Sequence, residues 1–527
     1  MRFVARLAIA IATLVSSAIL CWGQSPLGAS AGGNFGAEPT VGARAMRRSV
    51  GFTGQAPSSA VEGTWVADDD AYEEEEEMVA QTPAQPGLEA VQIDESSGGP
   101  GGQECDCEQC QAAAAGSAGA HRPRGGLLGC RKCTGGGLCG PLWCSDLWND
   151  VHAHRRVYVQ ADYLSFWTKG NQLPVLVTTS PLGTPQSQAG VLPESATTAI
   201  LFGGERVDLN QRNGGRINVG YWLIDGEFLG IEGQYLALEE QNTLFDAVSD
   251  FSGGDPNAQI LARPFFNVDP ILITPTEDAA IVAFPAGFTL GPGTGTLDGS
   301  IHIRTTSNLQ SAGGLLRRLV WIDFTMQRRL DWILGYRFFR IDDSVTINDA
   351  STFIPSAGPI PLTEFTSQDQ FSASNQFHGG EIGLKAQSYH GRLSLEVLAK
   401  CAFGNNRQST FINGFNTVTS GGVTTENVGG LLAQPTNIGM HRRNVFAVLP
   451  EANANIRWDI TCHLRGTIGY TFMYINRVQR SGEAIDVTVN PTQFNAGVLD
   501  GEARPAFHPT DTPFWAHGAT AGIEYRW

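Results

Sequence analysis

The chain has 527 residues, 42% of them hydrophobic and 17% charged, with 63 Gly and a net charge of −17. A moderately apolar, charge-poor composition excludes a wholly disordered chain, and Gly without a three-residue period excludes collagen. A mean hydropathy of −0.11 and a pI near 5.0 exclude a multi-span helical membrane protein and a general nucleic-acid binder.

At the start, Arg2 and Arg6 flank the beginning of an apolar run over 7–22. A basic region followed by so short an apolar stretch predicts a signal peptide over 1–23, with cleavage after Gly23 or as late as Ala31. Leu20 stands where a lipobox needs a small residue before Cys21, which argues against lipidation. Residues 24–152 follow as a low-complexity, acidic, Cys-containing segment expected to be disordered. Over 24–150 it carries 18 acidic and 7 basic residues, densest at Asp68 to Asp70 and Glu73 to Glu77. Close like charges repel and keep a chain open, although carboxylates can also gather hard cations weakly.

Seven cysteines crowd the end of this segment: Cys105, Cys107, Cys110, Cys130, Cys133, Cys139 and Cys144. Two C-x-x-C pairs, Cys107 with Cys110 and Cys130 with Cys133, have a spacing that suits zinc. An exported, oxidising compartment favours disulfides instead, and an odd count leaves a thiol for a partner chain or free. His152 and His154 at the junction read as surface histidines before they read as a metal pair. Cys401 and Cys462 fall in predicted strands, as small buried or lipid-facing residues.

From residue 153 to 527 the pattern changes to period two, in which successive side chains take opposite faces of a strand. Strands are predicted around 157–167, 217–223, 229–235, 332–338, 378–386, 393–400, 451–458, 464–474 and 515–527, with a weaker one at 307–320. Links alternate between short ones, near Asp225, Trp321 to Leu330, His390 and Asp459 to Cys462, and long ones. The long links are read at 169–212, 240–300, 343–370, 404–443 and 479–513. Ten strands with alternating short and long links describe an all-β, antiparallel transmembrane barrel of the outer membrane. Apolar stretches at 260–266 and 280–290 offer a further hairpin, for twelve. Aromatics cluster at strand ends: Tyr163, Trp167, Tyr336, Phe338, Tyr470, Phe472, Tyr474, Tyr525 and Trp527. A soluble or surface-attached β-rich structural or adhesion protein, cross-linked through its cysteines, is the alternative, because sandwiches also alternate.

Several strings resemble the planctomycete-type putative beta-barrel porin family, the seventh of the numbered porin families. They are Tyr158 to Leu164, Gly335-Tyr-Arg-Phe-Phe, Phe403-Gly-Asn-Asn-Arg-Gln, Phe446-Ala-Val-Leu-Pro-Glu, Gly469-Tyr-Thr-Phe-Met-Tyr and Ile485-Asp-Val-Thr-Val-Asn. They run in order over about 155–527. Where the family shows Arg-Pro-Gly, this chain has Arg480-Ser481-Gly482. The resemblance implies fold and location more than activity. The closing Tyr525 and Trp527 are similar to the terminal signal that barrel-assembly machinery recognises in outer-membrane proteins generally.

The polar phase of the strands carries Asp162, Glu232, Glu381, Glu396, Glu451 and Glu524 against Arg337, Lys385, Arg392, Lys400, Arg457, Arg465 and Arg526. Near balance predicts ion pairs that fill a narrow lumen, whereas a selective pore favours one sign. Arg337 is the expected lumen anchor. The basic pairs Arg317-Arg318, Arg328-Arg329 and Arg442-Arg443 sit near strand ends, as headgroup contacts or as solvated turn charge. No nucleophile elbow, zinc-protease motif or P-loop is present, so the reading is a non-enzyme without cofactor. Expected partners are outer-membrane lipids, the assembly machinery and disulfide-linked chains, and no nucleic acid.

Overall fold

The computed structural model describes residues 156–527, apart from 194–196, 225–226, 273, 325–326 and 359. The expected signal peptide, the acidic segment, the seven-cysteine cluster and the His152–His154 pair lie outside the described residues.

The described chain is built of strands, with two short 3-10 turns. In order the strands are β1 (Val157–Thr168), β2 (Asn171–Gln172), β3 (Val177–Thr179), β4 (Ala199–Phe202), β5 (Arg206–Val207), β6 (Arg212–Trp222), β7 (Leu229–Ser249), β8 (Leu261–Asn267) and β9 (Thr276–Leu290). They continue as β10 (Gly293–Asp323), β11 (Arg328–Ala357), β12 (Thr363–His390), β13 (Leu393–Ser420), β14 (Val423–Val428), β15 (Gly439–Asp459), β16 (Leu464–Val478), β17 (Thr488–Val489) and β18 (Thr512–Arg526). Among the described residues no helix is long and apolar enough to cross a membrane.

Ten long strands pair antiparallel in a path that returns on itself. The order is β1-β6-β7-β10-β11-β12-β13-β15-β16-β18, and β18 pairs back onto β1. Each of the ten therefore has a paired neighbour on both sides. Short links over 223–228, 324–327, 391–392 and 460–463 join them at one end; at the other the links are long except for 358–362 between β11 and β12. The tightest link is the pair Gly391 and Arg392, where Gly391 takes φ +62°. That is the left-handed region two-residue hairpins need and glycine supplies at least cost.

The period-two reading of these strands holds, because burial alternates along them. Two expectations change. The stretches read as the long links 343–370 and 404–443 are largely strand: β10 to β13 run 28 to 31 residues each. Only 358–362 links β11 to β12. The outward residues of these stretches are mostly polar, which hides a strand from sequence, yet the antiparallel pairing continues through them. The extra hairpin exists as β8 and β9, yet it does not enter the ring; β9 joins only the far end of β10, at Gly293 to Leu297.

β8 and β9, with β3, β4 and β17, instead form a small sheet whose apolar residues pack on the inward faces of the extended strands. Leu261, Phe265, Val282 and Leu432 meet Ile301, Ile347, Phe371 and Ile412 in that core. Cys462 lies in the 460–463 turn rather than in a strand, and is disulfide-bonded. Cys401, half-buried on β13, is a free thiol.

Candidate functional site: the interior of the ring

Alternation sends one phase of every ring strand inward, and toward the short-turn end that phase is charged. Arg337 on β11 meets Glu451 on β15 at 2.8 Å. Lys400 on β13 joins Glu451 at 3.3 Å and Glu381 on β12 at 2.9 Å. Lys385 and Arg457 share Glu396, at 3.0 and 2.8 Å. Arg465 contacts Asp459 at 2.5 Å and lies 3.8 Å from Glu524, which also pairs with Arg526. All nine residues expected inside, Arg337, Glu381, Lys385, Glu396, Lys400, Glu451, Arg457, Arg465 and Glu524, are buried. The structure brings them into two ion-paired groups, Arg337, Glu451, Lys400 and Glu381 in one and Lys385, Glu396, Arg457, Glu524 and Arg465 in the other.

The same interior holds further buried ion pairs of residues the sequence reading placed elsewhere or passed over. Arg216 pairs with Asp162 at 2.8 Å. Arg317 and Arg329 both reach Asp331, at 2.5 and 2.7 Å, and Arg329 reaches Glu227 at 2.6 Å. Arg317 and Arg329 are therefore buried partners, neither headgroup contacts nor solvated turn charge. Strand parity carried the signal: Arg317 continues the inward series Leu309, Ser311, Gly313 and Leu315, while Arg318 is exposed. Arg392 belongs to the 391–392 turn. Glu232, half-buried, accepts a hydrogen bond from the Tyr158 hydroxyl at 2.5 Å.

Among these side chains the remaining cavity is about 40 Å³, room for a few waters. Charges so thoroughly paired leave no row of one sign to draw ions through.

Farther from the short turns the inward phase becomes apolar, which the sequence reading did not expect. Leu164, Phe166, Leu236, Phe339, Phe377, Leu449, Met473 and Phe514 form a buried cluster across the ring. Beyond it the link after β16 turns inward. Arg480 pairs with Asp343, and Ser481 accepts from Asn171 at 2.9 Å. Higher still, Arg263 of β8 bridges Asp349 and Asp369, at 2.5 Å each. Asp369 also accepts the backbone N–H groups of Leu432 and Ala433, at 3.1 and 2.8 Å. Asp208, in the link before β6, accepts from Thr243 at 2.8 Å and Thr305 at 3.0 Å. Burial pushes its carboxyl above the usual range, against the lowering effect of those hydroxyls.

The outward phase is the complement. Exposed large apolar side chains include Ile217, Val219, Ile231, Leu334, Ile382, Ile456, Ile468 and Ile523. Trp332, Trp458, Tyr525 and Trp527 lie toward the short-turn end, and Tyr163, Trp167, Tyr235, Tyr336 and Tyr470 toward the other. On β18 the outward aromatics Trp515 and Tyr525 stand ten residues apart. At about 3.4 Å per residue and a tilt near 40°, that is about 26 Å, the height of an apolar band across a bilayer.

Residues 158–527 match the family described as Putative beta barrel porin-7. The chain belongs to that family. Within the matched span, Tyr158 to Leu164 carries Asp162, Gly335 to Phe339 carries Arg337, and Phe446 to Glu451 ends on the carboxylate between Arg337 and Lys400. No curated protein matches the chain. Among solved structures it is similar to the outer membrane protease OmpT from Escherichia coli, at 10% identity and a TM-score of 0.32, covering 71% of this chain and 97% of that one. It is also similar to a Pseudomonas aeruginosa FadL homologue, at 9% identity and a TM-score of 0.19, covering 74% and 95%. Among the described residues no group of three or more His, Cys, Asp or Glu is placed to hold a metal ion.

Proposed function

We propose that the ring is a closed, ten-stranded transmembrane barrel of the outer membrane, of porin type, with a filled lumen and a structural, non-catalytic role. One observation carries this reading: an apolar outward band bounded by aromatics surrounds an interior occupied by paired charges and then by an apolar cluster. Lipid-facing strands are viable only when every backbone group is paired, which the returning path of pairings supplies. The long-link end then faces outside and the short turns face the periplasm. In this reading residues 1–23 direct export, 24–152 lie on the periplasmic side with their cysteines available for disulfides, and Tyr525 with Trp527 presents the assembly signal.

Passive diffusion of small solutes would need the inturned link at 479–484 and the apolar cluster to give way. Reconstitution of the purified protein into planar bilayers tests the reading. The expected record shows insertion with little or no steady conductance, together with a compact band on unboiled gels that shifts on heating. A steady nanosiemens-scale pore overturns the filled lumen. Partition into the aqueous phase without a heat-dependent band overturns the barrel.

A further inference from the structure

On the outward phase of β13 and β15, one step past Asn405 and Asn444, stand two arginines, followed by the exposed Phe411 and Met440. Arg407 on β13 and Arg442 on β15 are both exposed. Arg407 is in register with Asn444, and Arg442, two residues further, with Ser409. Diagonal neighbours on adjacent strands are separated by about 7–8 Å, and like charges side by side repel. Neither makes an ion pair or a side-chain hydrogen bond among the described residues. Their inward neighbour Arg443 does, to Gln408 and Asp511 at 2.6 Å each.

One step toward the short turns, Asn405 donates to Asn444 at 3.2 Å. The next step brings Phe403 and Phe446, 44% and 55% exposed, and below them the outward phase stays apolar to Leu395 and Trp458. The two guanidinium groups thus stand just past the continuous apolar phase, separated from it by the Asn405–Asn444 step. On β6 and β7 the corresponding step past the aromatics carries Asn213 and Glu239, bonded to each other at 3.1 Å, so the rim differs in sign around the ring.

We propose that Arg407 and Arg442 together hold the phosphate of an anionic lipid headgroup, in the leaflet at the long-link end, with its acyl chains over Phe403 and Phe446. A guanidinium offers paired donors that match phosphate oxygens, and a phosphate between two of them relieves their repulsion. The site rests on the membrane reading above.

The test uses the full chain, refolded into phosphatidylcholine vesicles containing spin-labelled phosphatidic acid or spin-labelled phosphatidylcholine. Wild type should immobilise phosphatidic acid in preference, and each arginine lost should lower that preference about five-fold, the equivalent of about 1 kcal/mol per Arg at an anionic surface. Arg407→Gln with Arg442→Gln should abolish the preference while keeping the heat-modifiable band. Arg318→Gln, exposed toward the opposite end, should retain it. A folded, inserted wild type with no preference overturns the proposal, as does a preference that survives the double variant. Displacement by millimolar inorganic phosphate also overturns it, placing the site in the aqueous phase. Failure to insert at all removes the barrel itself, a result the gel band distinguishes.

Discussion

Lys400 is the residue whose loss the interior should tolerate least. It stands between Glu381 and Glu451 and also donates to Gln234 at 3.0 Å. Removing one partner of a buried ion pair leaves an uncompensated charge, at about 3–5 kcal/mol. Lys400→Met should therefore lower the temperature at which the compact gel band is lost. Adding Glu381→Gln should recover part of it, because Arg337 still neutralises Glu451. No recovery in the double variant would show that Lys400 acts by packing alone. Asp208 offers the opposite sign. Its raised pKa means that the folded state holds a proton that the unfolded state has released, so stability falls as pH rises from the unfolded value through the folded one. Asp208→Asn removes that loss, keeps an acceptor for Thr243 and Thr305, and suits the left-handed backbone at φ +61°. The variant should melt above wild type at neutral pH and converge with it in acid, as followed by circular dichroism in detergent. At this scale the nine inward charges were legible, since parity along a strand decides face. Arg317 and Arg329 were missed because each sits in a basic pair beside a turn and was read by its charge rather than by the parity of its strand, which for Arg317 continues the inward series.

The strands themselves were legible wherever large side chains alternate with small polar ones, as on β16 and β18. β10 read weakly because its inward phase carries Ser307, Ser311 and Gly313, and its outward phase Gly314. Its full length, like that of β11 to β13, escaped the sequence: in the extensions the outward phase turns mostly polar, so the apolar inward residues Ile301, Ile347, Phe371 and Ile412 were not recognised as one face of a strand. The apolar interior cluster escaped for a related reason, since Phe339, Phe377 and Phe514 put apolar residues on the phase read as polar. Pairing between strands adds contacts that no single strand displays. Gly220 on β6 is in register with Tyr158 on β1, and a Cβ there would lie 2.0 Å from the Tyr158 ring. The glycine lets the ring cross it and reach Glu232. Gly220→Val should cost about 1–3 kcal/mol by overpacking, and Gly220→Val with Tyr158→Ala should cost less than the sum of the single changes. Strict additivity, measured by denaturant unfolding in detergent, would show that the two do not share a site.

At the scale of the whole molecule, three layers occupy the ring in turn: paired charges, an apolar cluster, and the links with their small sheet. The first and last long strands are neighbours, with Trp527 N–H donating to Val157 C=O at 3.0 Å and β1 in register with β18 from Tyr158 opposite Arg526 onward. Nearly the whole described chain separates the two partners. The seam between them can therefore be sewn only after all the intervening strands exist, and such long-range pairing is slow. Until then the unfinished sheet has two bare margins, each a row of unmet N–H and C=O groups ready to add a strand from any other chain. The strands that lock the finished molecule are thus its most adhesive parts during biogenesis, and an escort that shields both margins until they meet would serve this topology better than one that shields apolar surface alone.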